Sequence, residues 1–397
     1  MGDPFTLIAD FLRDLLLGFG LDPGLTTAIL KFVGAAVTAT IALVLTFFTI
    51  WLERKLIARI QDRLGPNRVG PYGLLQTIAD FAKLLTKEVL IPKGADRSVF
   101  IIAPLLVVMS VVSLWAVVPF APTLFGSDIN VGVLYLVSIG SVGTLGIMMA
   151  GLSSNNKYAL LGAFRTVAMM LSYAVPMILT LLIPTMLAGS MALTKIVEAQ
   201  DPVWFVILSP IAAFIFYISS LAEVGRTPFD LMEAESEIVA GFHIEYSGIS
   251  FGMFFVAEFL HAFTISVLTV TLFFGGWQGP RAVDFPILGL VYFLIKTSII
   301  YFVVIWIRAS FPRLRIDHLN NLNWKILTPL ALAAVIFTAV IDKLTSAEGW
   351  GRVPLHLAGS VILIGLTLIA LRTYARSTRD KVEGSKKSLA QTTEAVS

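Results

Sequence analysis

The sequence predicts an all-α, polytopic membrane protein with about nine transmembrane helices, and three observations carry that prediction. Hydrophobic residues make up 57% of the 397-residue chain and charged residues only 14%. Apolar stretches recur at about the 20-residue length that a helix needs to cross hydrocarbon. Lysine and arginine gather in alternate connections, as they do in a chain that crosses a bilayer repeatedly. The mean hydropathy of +0.85 agrees with all three.

Nine spans follow in order, at roughly 29–52, 100–119, 131–152, 164–187, 203–222, 251–274, 287–307, 326–341 and 353–371. The last two are short for the purpose. Ahead of them, the first 28 residues carry Asp3, Asp10, Asp14 and Asp22 and an amphipathic patch around 5–21, without the basic and apolar regions of a cleavable signal. In the third span Gly140, Gly143 and Gly146 let a neighbouring helix approach closely. In the fourth, Pro176 and Pro184 are expected to kink or break the helix. Residues 1–376 read as a single multi-span domain, and 377–397 as a polar, disordered tail.

The connection after the first span holds nine cations, from Arg54 and Lys55 to Arg97. Arg308, Arg313, Arg315 and Lys325 follow the seventh span, and the tail adds six more. The positive-inside rule therefore puts the tail in the cytoplasm and the N-terminus outside.

Three polar segments break the apolar pattern on the cation-rich side. The first runs from Trp51, with turns at Gly65-Pro66 and Gly70-Pro71. Beyond them Leu74, Ile78, Phe81 and Leu85 share one helical face, and Gln76, Asp80, Lys83 and Lys87 share another. This is an interfacial amphipathic helix over about 73–90, or a peripheral helix that merely anchors a loop. The second is an acidic loop over about 223–250, in which Glu223, Asp230, Glu233, Glu235, Glu237 and Glu245 face a single cation, Arg226. Carboxylates crowded beside hydrocarbon cannot all ionise cheaply, so the loop suits proton uptake and release. A solvated acidic loop is the plainer reading. The third segment carries Arg308, Arg313 and Arg315, which are topology signals or charge partners for that loop. Within the spans, Glu258 stands one turn before His261, so both can face the same way.

Cysteine is absent, which removes thiolate-ligated iron–sulfur clusters, zinc–thiolate sites and disulfides. Four histidines are scattered in sequence and no glycine-rich nucleotide fingerprint opens a βαβ unit. No metal, nucleic acid or redox centre of the chain's own is expected.

Four strings, LERKLIARIQDRLGPNRVGPYGLLQTIADFAKLLTKE, SSNNKYALLGAFRTVAMMLSY, LAEVGRTPFDLMEAESEIVAGFHIEY and IRASFPRLRIDHL, resemble the quinone-chamber membrane subunit of respiratory complex I, called H in bacteria and 1 in mitochondria. The resemblance covers about residues 30–345. It implies a bacterial plasma-membrane subunit, not catalytic alone, of a proton-translocating NADH:quinone oxidoreductase. FMN and iron–sulfur clusters would sit in partner subunits, and quinone would be the bound substrate. Other membrane-arm subunits, the peripheral arm and the lipid bilayer would be its neighbours. Carried over by residue, the quinone channel falls on Glu53, Arg54, Asp80, Lys83, Phe242 and Arg308. The carboxylate funnel falls on Glu223, Asp230, Glu233, Glu235, Glu237, Glu245 and, deeper, Glu258.

One departure interrupts the implied proton path: Ala174 and Met169 stand where the family has glutamate and glutamine. Hydroxyls such as those of Ser172 and Tyr173 would have to bridge the gap, or the path would run through Glu258 or a partner. The ninth span and the basic tail favour a bacterial form. A related component of an energy-converting hydrogenase or ferredoxin-dependent complex, a stand-alone cation or proton transporter, and a structural anchor are the competing readings.

Overall fold

Apolar run-length sets where each helix lies, and caps set where it begins. A computed structural model describes residues 4–19, 21–232, 239–345, 349–369 and 372–373 of the chain. Helix α1 (Pro4–Gly18) precedes the long α2 (Pro23–Ile60), whose N-cap Asp22 accepts from Gly24 N at 3.0 Å. Pro23 takes the first helical position, where no donor is needed. The 38 residues of α2 reach about 57 Å at 1.5 Å per residue. Hydrocarbon is only about 30 Å thick, so the end of α2 beyond Trp51 projects into the first polar segment.

There the chain turns through Pro71–Gly73 into α3 (Gln76–Thr86), a shorter helix than the 73–90 expected. Ile78 and Leu85 of its apolar face are exposed, while only Thr77 is buried. A helix that points its apolar face outward is built for the lipid interface. Phe81 packs edge-on against Phe47 of α2, with ring centroids 5.2 Å apart.

Helices α4 (Arg97–Leu114) and α5 (Gly132–Ser153) pack at small residues. A Cβ added at Gly143 would stand 2.8 Å from Ser110 Oγ, and one at Gly146 would stand 3.1 Å from Ala103 O. Helix α6 (Lys157–Ala188) runs unbroken through Pro176 and Pro184, contrary to a proline break. The cause is a substitute donor. Pro176 offers no N–H to the carbonyl of Ser172, and Asn323 Nδ2 donates to that oxygen at 2.7 Å instead. Tyr173 OH returns the contact, donating to Leu319 O at 3.0 Å.

The span expected at 203–222 divides into α8 (Phe205–Leu208), which follows the short α7 (Leu193–Glu198), and α9 (Pro210–Val224). Ser209, at φ −144 and ψ 68, separates them. Helices α10 (Gly248–Phe273) and α11 (Pro286–Ser310) match their predicted spans. The eighth stretch is longer than expected, because α12 (Ile316–Leu322), a π-helical turn (Asn323–Leu327) and α13 (Thr328–Leu344) run together. Pro329 cannot donate to the Lys325 carbonyl, and the turn before it widens. The last apolar helix, α14, covers Val353–Ile369.

Seven of these helices are long and apolar enough to cross a membrane, while α9 and α14 are shorter. The fold is thus an all-α, polytopic membrane protein. Helix α10 is its axis: most of its residues are buried, and it packs on α2, α4, α9 and α11. The tail after residue 373 and the helical turn expected at 232–239, apart from its two ends, lie outside the described residues.

Replacing Asn323 by Ala exposes the Ser172 carbonyl inside the bundle. Interhelical hydrogen bonds in membranes contribute about 0.6–1.7 kcal/mol, so the thermal unfolding midpoint should fall by a few degrees. An unchanged midpoint would mean that Pro176 needs no substitute donor.

Candidate functional site

Consecutive helical residues point about 100° apart, and the polar end of α2 uses this to serve two places. Arg54 turns outward to α3, with Nη1 2.6 Å from Asp80 Oδ2, and Gln76 Nε2 donates to the other oxygen at 3.0 Å. Burial acts to raise the Asp80 carboxyl. The hydrogen bonds from Arg54 and Gln76, with the charges of Arg54 and Lys83, outweigh it and hold the group below its usual range. Trp51 Nε1 adds a bond to Tyr72 O at 3.2 Å, tying α2 to the turn ahead of α3.

Glu53 turns the other way and is 3% exposed. Its Oε1 accepts from Arg226 Nη1 at 3.0 Å and also meets Arg308 Nη1, and its Oε2 accepts from Tyr301 OH at 3.2 Å. Arg226 Nε lies 3.1 Å from Glu258 Oε1, an ion-pair distance at an angle too poor for a hydrogen bond. The guanidinium carbon stands 4.2 Å from the Phe259 ring centroid. Two carboxylates and two guanidinium groups therefore balance inside the bundle, drawn from α2, α10, α11 and the turn after α9.

Local backbone chemistry delivers Arg226 to this position. Helix α9 closes in a Schellman turn, with Gly225 N bonded to Ala222 O at 3.1 Å and Arg226 N to Leu221 O at 3.3 Å. Gly225 sits at φ 74, and a side chain there would run into Met232. The sharp reversal turns Arg226 inward, where it is 2% exposed.

Beside the cluster lies a cavity of about 60 Å³, lined by Glu223, Glu258 and His261 among Met170, Met232 and Phe242. A space of that size holds several water molecules, and the three polar groups give water partners. Glu258 and His261, one turn apart on α10, do face the same space. Gly140 of α5 leaves room beside Glu223, since a Cβ there would lie 3.7 Å from Oε1.

Among the described residues, the other two loop carboxylates, Asp230 and Glu245, are both held by side-chain partners. Arg313 Nη2 donates to Asp230 Oδ2 at 3.0 Å, and Leu314 N donates to Pro228 O at 3.1 Å. Glu245 accepts from Asn156 Nδ2 at 2.6 Å, and the same asparagine caps α6. Phe242 packs edge-on against Phe254 at 5.2 Å and against His243 at 5.1 Å. Burial pushes His243 down to about 4, so this aromatic cluster is uncharged at neutral pH.

Several sequence expectations change. Among the described residues, Arg226 is held by Glu53 and Glu258 rather than serving as a lone counter-charge for the loop carboxylates. Of the three arginines assigned to that loop, only Arg313 meets it among the described residues. Arg308 meets Glu53, and Arg315 makes no ion pair with a described residue. Glu53 and Arg54, expected together at one entrance, part company. Ser172 and Tyr173 do not bridge the gap at Ala174: the first donates to Ala168 O of its own helix and the second to Leu319 O. Glu233, Glu235 and Glu237 lie outside the described residues. Tyr301 and Phe259 were not anticipated. The signal for Tyr301 was present, since it precedes Arg308 by seven residues, two turns on one face of α11. No group of three or more metal-ligating side chains occurs among the described residues.

Two outcomes follow from this geometry. Glu53→Gln leaves Arg226 and Arg308 facing one carboxylate, and breaking a buried pair costs about 3–5 kcal/mol. Thermal denaturation of the membrane-embedded protein should show that loss. The Arg54–Asp80 contact has the opposite exposure. Its carboxyl lies below the unfolded value, so its contribution is complete above the ordinary aspartate range near pH 4 and disappears only as pH falls through the lower folded value. Limited proteolysis of 61–75 should be flat from pH 8 to 5; a rise within that window would contradict the assignment.

Comparison with known proteins fits this architecture. The family model described as NADH dehydrogenase matches residues 33–339. The H subunit of the NADH-quinone oxidoreductase of Dehalococcoides mccartyi (strain CBDB1) is 46% identical over 325 residues, covering 82% of this chain and 90% of its own. Its counterpart in a Geobacillus species (strain WCH70) is 45% identical over 332 residues, covering 83% and 96%. The second of the H subunits of Geobacter sulfurreducens is 47% identical over 307 residues, covering 75% and 92%. With most of its length matched at this identity, the chain belongs to the NADH dehydrogenase family, in the group of NADH-quinone oxidoreductase H subunits.

Proposed function

We propose that this chain is the membrane subunit of a proton-translocating NADH:quinone oxidoreductase that borders the quinone chamber and couples quinone reduction to proton movement. The carrying observation is the adjacency of Arg54 and Glu53. One belongs to the interfacial pair with Asp80, the other to the buried cluster that reaches Glu258 and its cavity. A charge change at the interface is thus one residue from the relay.

Reducing a quinone takes two electrons and two protons, and the electrons would come from NADH through FMN and iron–sulfur clusters in partner subunits. The apolar face of α3 gives an isoprenoid tail a route from lipid, and Arg54, Asp80 and Lys83 give the head group polar partners. Phe242 would bound the inner side. One added charge 10 Å from Glu53 or Glu258 acts with roughly 1.7 kcal/mol at an effective dielectric of 20, about one pKa unit. A balanced cluster responds to such a perturbation by shifting Arg226 between its two carboxylates. Glu258 then takes up or releases a proton to water in the cavity, with Glu223 and His261 as neighbours. Asp230, Glu245 and the loop glutamates Glu233, Glu235 and Glu237 would supply protons from the cation-rich side. The bacterial relatives support a plasma-membrane location, and the distribution of lysine and arginine supports that side being cytoplasmic.

The test uses the assembled complex in native membranes. Glu258→Gln combined with Glu223→Gln should lower protons moved per NADH oxidised at least tenfold, while NADH oxidation by a soluble ferricyanide acceptor stays within twofold. Unchanged pumping with quinone would exclude the relay.

A further inference from the structure

Where the fifth apolar stretch divides, a helix end is left inside the bundle. Helix α9 begins at Pro210, directly after Ser209, and the first N–H groups of any helix lack partners within it. Pro210 has no N–H to satisfy, and Ala213 N already reaches Ser209 O at 3.2 Å. The N–H groups of Ile211 and Ala212 are left. Ser209 stands at the N-cap, the position from which a serine hydroxyl accepts from such groups. Here its side chain makes no cap bond. The residue is 4% exposed, and its Oγ has no hydrogen-bond partner among the described residues. A buried hydroxyl left without a partner is costly, so each such group calls for a reason.

The reason lies beside it. Ser209, Ile211 and Ala212 border a cavity of about 20 Å³, which Thr338 of α13 and His356 and Ser360 of α14 complete. Thr338 and His356 are buried as well. One water molecule needs about 10–15 Å³ and two to four polar partners. The cavity gives it that room, and three helices supply the polar side chains.

Helix α14 lies past the end of the family match at residue 339, and its residues are sorted for this contact. His356, Gly359, Ser360 and Leu363 recur at i, i+3, i+4 and i+7, the stripe of one helical face, and all four line the cavity. A Cβ on Gly359 would run into the Ile341 side chain, so α14 lies close on α13. The opposite face, with Val361, Ile362 and Leu368, is exposed and apolar. Polar side chains of a helix in lipid turn toward the bundle in this way.

We propose that this cavity is a binding site for one structural water molecule, which caps α9 at Ser209 and ties the α8–α9 junction to Thr338, His356 and Ser360. The last helix is thereby a clamp on α9, the rod whose other end carries Glu223 and turns Arg226 inward. The site does not depend on the relay, and its test needs no turnover. In the assembled complex, electron cryomicroscopy at a resolution that shows ordered water should find one density peak within hydrogen-bond distance of Ser209 Oγ and of a polar group on α13 or α14. A cavity without density, or one filled by a side chain, overturns the proposal. Hydrogen exchange at 209–213, read by mass spectrometry on the same complex, tests the clamp. His356→Leu removes a partner of the water, and exchange there should speed up roughly tenfold. His356→Gln keeps a hydrogen-bonding group and should stay within about twofold of the wild type. Should His356→Leu fail to assemble, Ser209→Ala carries the same expectation. A His356→Leu complex that exchanges as slowly as the wild type, or a His356→Gln complex as fast as His356→Leu, shows that α14 packs on α9 without the water and overturns the proposal.

Discussion

Arg226 is the constraint around which the rest of the structure is arranged. A guanidinium that is 2% exposed needs partners, because removing a charge from water carries a penalty of several kcal/mol per ion. Its partners come from distant parts of the chain, Glu53 at the end of α2 and Glu258 in the middle of α10. Arg308 also meets Glu53, so that two guanidinium groups balance two carboxylates, and Tyr301 donates to the remaining Glu53 oxygen. Holding these groups together fixes how α2, α9, α10 and α11 sit against each other. Hydrophobic burial cannot give that specificity between apolar helices in lipid, where the tails are as apolar as leucine. The cluster is also a device, because a balanced set of charges is easily biased by one more.

Much of the fold was legible because span length and hydropathy are local properties. Apolar stretches appear as helices where the sequence places them, and the paired glycines of α5 sit at the contact with α4. What was not legible depends on chain reversals. Nothing in the string around Arg226 says that Gly225 turns it inward, so the loop read as six carboxylates around one cation. The α8–α9 division hangs on the backbone at Ser209, which hydropathy does not register. Pro176 looked like a breaker because its rescuer, Asn323, is about 150 positions away. The split of Glu53 from Arg54 is simple helical geometry, visible only once their neighbours are placed.

The resemblance placed the site residues in one region of the family's fold, and the structure adds which of them touch. Asp80 and Arg54 meet at the interface, Glu53, Arg226, Arg308 and Glu258 inside, and Asp230 and Arg313 where the loop is strapped down. Of these three layers, the Glu53–Arg54 peptide joins the first to the second, and the short stretches 226–230 and 308–313 join the second to the third. In the proposed coupling a charge perturbation would travel that way without moving a helix, since each layer needs only a rotamer or proton shift.

Ala174 gives this ordering its direction. A methyl group cannot carry a proton, and the hydroxyls beside it on α6 already donate to backbone carbonyls. Helix α10 has what α6 lacks, because Glu258 and His261 open on one cavity. Beyond them the buried hydroxyls of Thr264, Ser266, Thr269 and Thr271 each donate to a carbonyl one turn back, so the polar groups of α10 that face open space stop at His261. On the proposed relay, protons gathered at Glu223 and Glu258 would therefore pass sideways, toward a neighbouring protein of the assembly, rather than through α6.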